Sequence, residues 1–448
     1  MIETDVAVIG GGFSGCAVAA QVARQARTAL ALHLFEPAEL ARGAAYGTPH
    51  PELLLNTRAK IMSLYPDDPE HFVRWLGPRA GADDFVSRRL YGDYLAEIAR
   101  RTFELPRFTR VADRVRRVRR WPAGGFTVES ASGMEVHARS VVLSTGNLRP
   151  RGDFLPPALL RHAGYVGDPW RFDYRSVGGH VLIIGSGLTA LDVLVALRAC
   201  GHRGSVHVVS RRGRFPEVHA GGGAYDVVPP MDMSGTLSAL RSFRRHLELA
   251  ADRGRDWRSV IDALRPNAEV LWRRLPAAEQ RRFERHLRAR WERHRHRTPA
   301  QIEAVRLDYE RSRGYFTYAG NVTEFKNGNV RISLRDGGAI ELRPDWIVNC
   351  SGLSGTRAMA NDPMLGELLA DGTLSAGPGE LGLRTTPDLA AVDADGQAVA
   401  GLWIVGPPVR GSRFEATAVP ELRVMAELAA SQILQSSQPE PAVSGAAK

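Results

Sequence analysis

Two glycine-rich turns, each lying between a short apolar strand and a small-residue helix, predict an α/β chain with two Rossmann-like dinucleotide-binding domains. A long stretch after the second turn breaks the alternation of strand and helix and predicts a helical insertion.

The first unit opens the chain. Asp5 to Ile9 read as a buried strand, and Gly10, Gly12 and Gly15 follow as G-x-G-x-x-G. Cys16 to Ala29 read as the helix, and Leu30 to Phe35 as a second strand ending at Glu36. Gly10 permits the tight turn and Gly12 lets a pyrophosphate approach the backbone. Gly15 lets helix and strand pack closely, with the helix N-terminus facing the phosphates. Glu36 is placed to accept hydrogen bonds from a ribose. Phe13 and Ser14, inside the turn, belong to the same set of cofactor-binding candidates. A bare glycine turn is the alternative, but strand, loop, helix, strand and acid in that order favour a dinucleotide.

Next come Gly43 to Gly47, Leu53 to Thr57 and Lys60 to Ser63, which read as loops over a ligand and contain Asn56, Met62 and Ser63. Asp68 to Leu76 and Tyr91 to Phe103 have helical apolar spacing. Phe108 to Val142 turn to short strands broken at Gly124-Gly125 and Ser132-Gly133, with Val115 among them. A buried strand, Ser140 to Leu143, leads into Ser144-Thr145-Gly146-Asn147.

The second unit begins with the strand Val181 to Ile184. Gly185-Ser186-Gly187-Leu188-Thr189-Ala190 is a G-x-G-x-x-A turn, Leu191 to Cys200 the helix, and Val206 to Val209 the next strand. That strand ends at Ser210-Arg211-Arg212, where the first unit has Glu36. An acid favours a free 2′-hydroxyl, whereas arginine favours a 2′-phosphate through bidentate pairing. The two turns therefore predict FAD on the first unit and NADPH on the second, with a turn that holds no ligand as the alternative for the second.

Five helical segments follow: Leu237 to Ala251, Trp257 to Leu264, Ala268 to Leu275, Ala277 to Arg293 and Pro299 to Arg313. Arg281 to Arg297 is dense in Arg and His; it either guides an anionic substrate or is a solvated helix face, and the second reading is preferred. Strands resume from Asn321 to Cys350, with turns at Asn327-Gly328-Asn329 and Asp336-Gly337-Gly338. Leu402 to Val405 is the last strand, before Gly406 and Pro407, and Thr417 to Leu434 a helix whose N-terminus faces the first cofactor. The predicted parts are 1–167 and 355–435 for the FAD-binding domain, 168–234 and 314–354 for the NADPH-binding domain, 235–313 for the insertion and 436–448 for a disordered tail.

Composition narrows the function. The 448 residues are 44% hydrophobic and 24% charged, ordinary for a globular protein. No apolar run is long enough for a membrane span, and no signal peptide is expected. Three separated cysteines, Cys16, Cys200 and Cys350, have no metal-ligand or dithiol spacing. They argue against a dithiol reductase and fit a reducing cytoplasm; no metal site is expected. The net charge of +10 comes with no nucleic-acid module, so the expected partner is a small molecule.

The chain resembles a bacterial family of FAD/NAD(P)-binding proteins among the two-dinucleotide-binding-domain flavoproteins. The likeness rests on Ala45-Tyr46-Gly47-Thr48, Leu54-Leu55-Asn56-Thr57, Met62-Ser63, Tyr91-Gly92-Asp93-Tyr94-Leu95, Asp168-Pro169-Trp170, Gly187 to Asp192, Ser210 to Gly213, His294-Arg295-His296-Arg297 and Pro420-Glu421-Leu422-Arg423. That family is similar to class B flavin monooxygenases, including the N-hydroxylases of ornithine and lysine. Phe85 to Arg89 with Tyr91 and Tyr94 resembles their segment before a helix, and Asn56 falls where they carry an asparagine near the flavin. Two positions depart. Tyr165-Val166-Gly167-Asp168-Pro169-Trp170 stands where F-x-G-x-x-x-H would, and Gly406-Pro407 replaces a Gly-Asp pair.

The resemblance implies an NADPH-utilising FAD enzyme, most simply a monooxygenase that hydroxylates a small amine or nitrogen heterocycle through a flavin C4a-oxygen adduct. Asn56 is its candidate catalytic residue. Thr145, Gly146, Gly406, Pro407 and Thr417 join the cofactor set, and His219 to Pro230 with the insertion define the substrate. Two other readings stay open: an NADPH dehydrogenase or oxidase, and a non-catalytic FAD-bound sensor or partner protein.

Overall fold

The computed structural model describes residues 2–26, 30–122, 124–148, 150, 152–221, 225, 230–352 and 355–437. The last residues read into the first helix (27–29), part of the 219–230 segment and the tail beyond 437 lie outside them.

Strands β1 (Ile2–Ile9), β2 (Leu32–Phe35), β3 (Phe108–Val111), β4 (Val115–Arg120), β5 (Phe126–Ser130) and β6 (Glu135–Leu143) open the first sheet. Strands β7 (Tyr165–Val166), β8 (Val181–Ile184), β9 (Val206–Ser210), β10 (Tyr315–Lys326), β11 (Asn329–Leu334), β12 (Ala339–Leu342) and β13 (Trp346–Asn349) form the second. Then β14 (Ala390–Val392) and β15 (Ala398–Ile404) return to complete the first. The path of the first sheet is β14-β15-β6-β1-β2-β3, with the β4–β5 hairpin attached to β6, and that of the second is β12-β11-β10-β9-β8-β13-β7.

β1 lies between two parallel neighbours, Val8 opposite both Leu34 and Val142. Helices cover such strands on both faces, so the run needs apolar residues at successive positions; Val6, Ala7 and Val8 are wholly buried. The helix Phe13–Gln25 packs on this sheet, and the final helix Val419–Ser436 packs on it in turn. In the second sheet β8 plays the part of β1, between β9 and β13. The β10–β11 hairpin turns at Asn327-Gly328, both with positive φ. That is the geometry asparagine and glycine favour in a two-residue turn.

Several element ends shift. The helix read from Tyr91 begins at Arg88, because the Ser87 hydroxyl caps it by accepting from the Leu90 N–H at 3.1 Å. The helix read from Asp68 starts at His71, and the one read from Thr417 at Val419, behind Pro420 in its first turn. The helix read as Ala277 to Arg293 is two, Ala277–His286 and Arg288–Arg295, broken at Leu287.

Two boundaries also move. The chain enters the second sheet at Tyr165, where β7 pairs with β13, ahead of residue 168. The helix Ala300–Glu310 belongs to the second domain and not to the insertion. β9 and β10 are parallel, so a crossover must join them, and this helix is that crossover. It packs on Leu188–Ala199, buries Ile302 in the second core and pairs Asp308 with Arg198 at 2.9 Å. The insertion itself is Thr236–Asp252, Trp257–Leu264, Ala268–Arg274, Ala277–His286 and Arg288–Arg295.

The Arg- and His-rich stretch is the clearest correction. Arg281, Arg282, Arg285 and Arg290 are exposed, but Arg295 and Arg297 are only 6% exposed. A solvated face therefore describes its outer part alone; its C-terminal end is an internal ion-pair layer.

Candidate functional site

The two glycine turns are built alike. Gly10 has φ +101° and Gly185 φ +112°, a region open to glycine but strained for other residues. The Gly10 N–H donates to the Phe35 carbonyl at 3.0 Å and the Gly185 N–H to the Val209 carbonyl at 2.8 Å. A Cβ on Gly10 would sit 2.4 Å from the Ser144 carbonyl oxygen, and one on Gly185 2.1 Å from that of Cys350. Each turn is thus clamped between its own second strand and the residue that follows the first strand's other parallel neighbour, β6 in the first domain and β13 in the second.

The two turns differ at the third small residue. A Cβ on Gly15 would lie 1.9 Å from the Gly10 carbonyl oxygen, whereas the second unit holds Ala190 there, fully buried. The middle glycines stay open: a Cβ on Gly12 would come no closer than 3.6 Å to anything, and one on Gly187 meets nothing within 4 Å. Helices Phe13–Gln25 and Leu188–Ala199 start at these points with no side-chain cap and no acid in the first turn. Open backbone at an uncapped helix N-terminus suits a pyrophosphate. Leu188 and Thr189 form the first turn of the second helix.

Around the first turn the predicted residues converge. The Glu36 carboxylate accepts from the Gly11 N–H at 2.9 Å and the Ala38 N–H at 3.0 Å, which aims it and leaves lone pairs for a further donor. The Glu36 N–H donates to the Val111 carbonyl at 3.0 Å, and Val115 stands just beyond, at the start of β4. Ser144 donates to the Gly10 carbonyl at 2.8 Å. The Thr145 hydroxyl beside it is buried with no partner, an orphan that a cofactor oxygen would satisfy. Gly146 has positive φ and open space where a side chain would be. Gly406 closes on Ser14, whose Oγ lies 2.5 Å from where a Cβ would stand, and Pro407 begins the next turn. Phe13 packs inward as core, and Thr417 lies just ahead of the last helix. These features fit a dinucleotide.

At the second strand end the Ser210 hydroxyl accepts from the Ser186 hydroxyl at 2.8 Å and the Gly213 N–H at 3.0 Å, so it shapes the turn. Arg211 and Arg212 are exposed, and among the described residues no carboxylate pairs with either.

Met62 and Ser63 are committed within their own loop. The Thr57 hydroxyl donates to the Met62 sulfur at 2.9 Å, and the Ser63 hydroxyl donates to the Asp68 carbonyl at 2.6 Å. Both are fully buried and shape the wall. Asn56 is half-buried, and no described residue bonds its amide. Its backbone carbonyl accepts from His219 Nε2 at 2.9 Å, a contact absent from the sequence reading. Burial, with Arg297 and Arg58 nearby, lowers the His219 pKa to about 4, so the ring is a neutral donor. The His219 N–H donates to the Thr298 carbonyl and its ring lies 4.9 Å from that of Phe85. Arg258 of the insertion donates to the adjacent Val218 carbonyl at 2.9 Å, so first domain, second domain and insertion come together beside Asn56.

The insertion docks on Phe414 to Glu421, ahead of the last helix. Phe414 sits among Trp272, Phe283 and Trp291. Arg265 forms a two-pronged pair with Glu421 at 2.9 and 3.1 Å. Arg288 donates to the Phe414 carbonyl at 3.3 Å and pairs with Glu292 at 2.5 Å. Arg295 lies 3.4 Å from buried Glu415. Burial works to raise the Glu292 carboxyl, but His296 and Arg288 outweigh it and hold the group well below its ordinary pKa. The isolated acid Glu415, between Phe414 and Ala416, was the available sequence signal.

The domains are joined by a second buried pair, Arg88 with Asp192, to which Trp170 also donates at 3.1 Å. Leu53, from the first domain, lies in the core of the second. Two of the cysteines are shielded: burial pushes the Cys16 thiol up to about 12 and Cys350 further, while Cys200 is only partly buried and raised in the same direction. Such thiols are poor nucleophiles.

Residues 7–148 match the FAD-NAD(P)-binding family model. No curated protein matches the chain in sequence. Among solved structures, ornithine hydroxylase from Pseudomonas aeruginosa is similar at TM-score 0.67 and 17% identity, over 98% of this chain and 100% of that one. Ornithine N-hydroxylase from Kutzneria sp. 744, solved with reduced FAD, NADP+ and L-ornithine, gives 0.62 and 15%, over 97% and 100%. Bacillithiol disulfide reductase from Staphylococcus aureus gives 0.58 and 13%, over 98% and 100%. At such identities the shared property is the fold, that of the two-dinucleotide-binding-domain flavoproteins, and the first unit is an FAD/NAD(P)-binding domain.

Proposed function

We propose that the chain is an NADPH-utilising FAD monooxygenase acting on a small amine or nitrogen heterocycle. The observation that carries this reading is the pair of like turns with opposite strand ends: Glu36 on the first, Arg211 and Arg212 on the second. The shielded thiols speak against a dithiol relay.

Bound FAD supplies hydride acceptance and oxygen activation. The chain's own residues do the rest. Glu36 holds a ribose, and the open turn at Gly12 admits the pyrophosphate. Arg211 and Arg212 take a 2′-phosphate. Asn56 presents an amide with free donor and acceptor capacity where the three parts of the fold meet, and His219 fixes its backbone. The insertion, fastened over Phe414 to Glu421, excludes water.

The test is NADPH oxidation by the purified yellow protein across a panel of amines and heterocycles, with product mass and peroxide followed together. A product heavier by one oxygen supports the reading. Substrate-independent oxidation giving only peroxide replaces it with an oxidase, and no oxidation at all with a non-catalytic FAD protein.

A further inference from the structure

We infer that Arg290, carried by the insertion, and Arg335, carried by β11's end, complete the 2′-phosphate site with Arg211 and Arg212, so that the insertion itself reads the coenzyme. This rests on the NADPH reading above and adds two residues outside the strand-end motif that suggested it.

The placement comes from backbone contacts. The chain leaving Arg212 runs directly against the helix Arg288–Arg295: Arg293 donates to the Phe215 carbonyl at 3.1 Å and pairs with Glu217, and the Glu217 N–H donates back to the Arg293 carbonyl at 3.1 Å. Arg290 sits one turn earlier on that helix. On the other side, Gly213 packs on Ala319, within 3.3 Å of its nitrogen for an added Cβ, and the Arg335 N–H donates to the Ala319 carbonyl at 2.8 Å. Arg335 also lines an open cleft of about 480 Å³ with Thr317, Tyr318, Ala319, Leu334 and Asp336, the last of which forms no described ion pair with it.

The charges are uncompensated. Arg211, Arg212, Arg214, Arg290 and Arg335 are all exposed, and among the described residues none of them pairs with a carboxylate. Burial and then the charges of Arg290, Arg211, Arg335 and Arg214 pull Arg212 below the ordinary arginine value. Elsewhere on this surface arginines find acids, as Arg293 and Arg306 do. Like charges kept together without counter-ions favour a multivalent anion, and planar guanidinium groups suit phosphate. The same helix holds the Phe414 segment through Arg288 and Arg295, so phosphate bound at Arg290 would also steady the cover over the first cofactor.

The probes are adenosine 2′,5′-bisphosphate and 5′-AMP, titrated calorimetrically into the FAD-loaded full chain. Wild type should prefer the bisphosphate. Arg290→Ala and Arg335→Ala should each weaken it by about tenfold and leave 5′-AMP unchanged, Arg290→Lys should lose less, and Arg281→Ala, an exposed arginine outside the cluster, should change neither. Arg290 uses its side chain in no described bond, so its loss leaves the fold intact. A wild-type preference unmoved by Arg290→Ala, or matched by Arg281→Ala, would overturn the inference alone. A wild type that prefers neither probe would overturn the NADPH reading and this inference with it.

Discussion

Arg88 and Asp192 meet across the domain boundary at 3.1 Å, both at least nine-tenths buried, one at the start of a first-domain helix and the other on the helix behind the second glycine turn. Burial raises the Asp192 carboxyl, and Arg88 and Trp170 oppose the rise. Removing one partner strands the other charge away from water. Arg88→Ala should therefore cost about 3–5 kcal/mol, and replacing both by apolar residues much less. Denaturant unfolding of the two single variants and the double variant measures the coupling; equal, additive losses would show that the pair does not act as a unit.

Glu36→Ala should weaken FAD by about 1.5–3 kcal/mol, through the lost ribose contact and through release of the Gly11 and Ala38 N–H groups it now orients. Fluorescence titration of the apoprotein with FAD reads this directly. Affinity equal to wild type would remove Glu36 from the cofactor site.

Asn56→Asp should retain FAD and slow anaerobic reduction by NADPH only modestly, because the bond described for Asn56 runs through its backbone carbonyl and not its side-chain amide. An acceptor-only charge beside electron-rich flavin should instead spoil coupling, giving more peroxide and less product per NADPH. Stopped-flow reduction with peroxide quantification decides it. Unchanged coupling would make Asn56 a wall residue.

Cys16 and Cys350 should resist iodoacetamide at pH 8 until the chain unfolds, because burial keeps both thiols protonated. Substituting all three cysteines by Ala or Ser should leave NADPH oxidation within about twofold. Loss of turnover in a folded triple variant would point to thiol chemistry.

His219 binds its proton less readily folded, at about 4, than at the ordinary 6.5. The unfolded chain therefore takes up more protons between these values, and stability should fall as pH drops from about 6.5 to 4. His219→Asn should flatten that slope in thermal melts across the window. An unaltered slope would assign the acid sensitivity to the other histidines that burial lowers, His33, His71, His202 and His207.

Sequence made the two turns legible because everything that defines them lies within a few dozen residues: strand, glycines, helix, strand and terminal charge. What it hid was long-range. Arg295 and Arg297 sit in a run that reads as solvated, and only acids far along the chain decide otherwise; Trp291 and Glu415, in the same layer, are 124 positions apart. Ala300–Glu310 has the same periodicity as the inserted helices, and only the parallel pairing of β9 with β10 makes it a crossover. His219 reads only as one end of a substrate-defining segment; its bond to Asn56 gave no signal because the partner is a backbone carbonyl, which every residue carries.

The first sheet has a consequence for synthesis. β6 is flanked on one side by β1, made early; on the other, β5 covers Glu135 to Ala138, and the C-terminal end waits for β15, made last, with Leu402 opposite Val141 and Ile404 opposite Leu143. Until the ribosome reaches those residues, the amino-terminal domain carries an open parallel edge, while the entire second domain is translated and folded. Unpaired edges recruit other chains. Nascent chains stalled before residue 398 should therefore sediment or bind a holding chaperone, and chains released after the final helix should not. Ribosome-release assays at the two lengths compare them, and FAD uptake should appear only at the longer one.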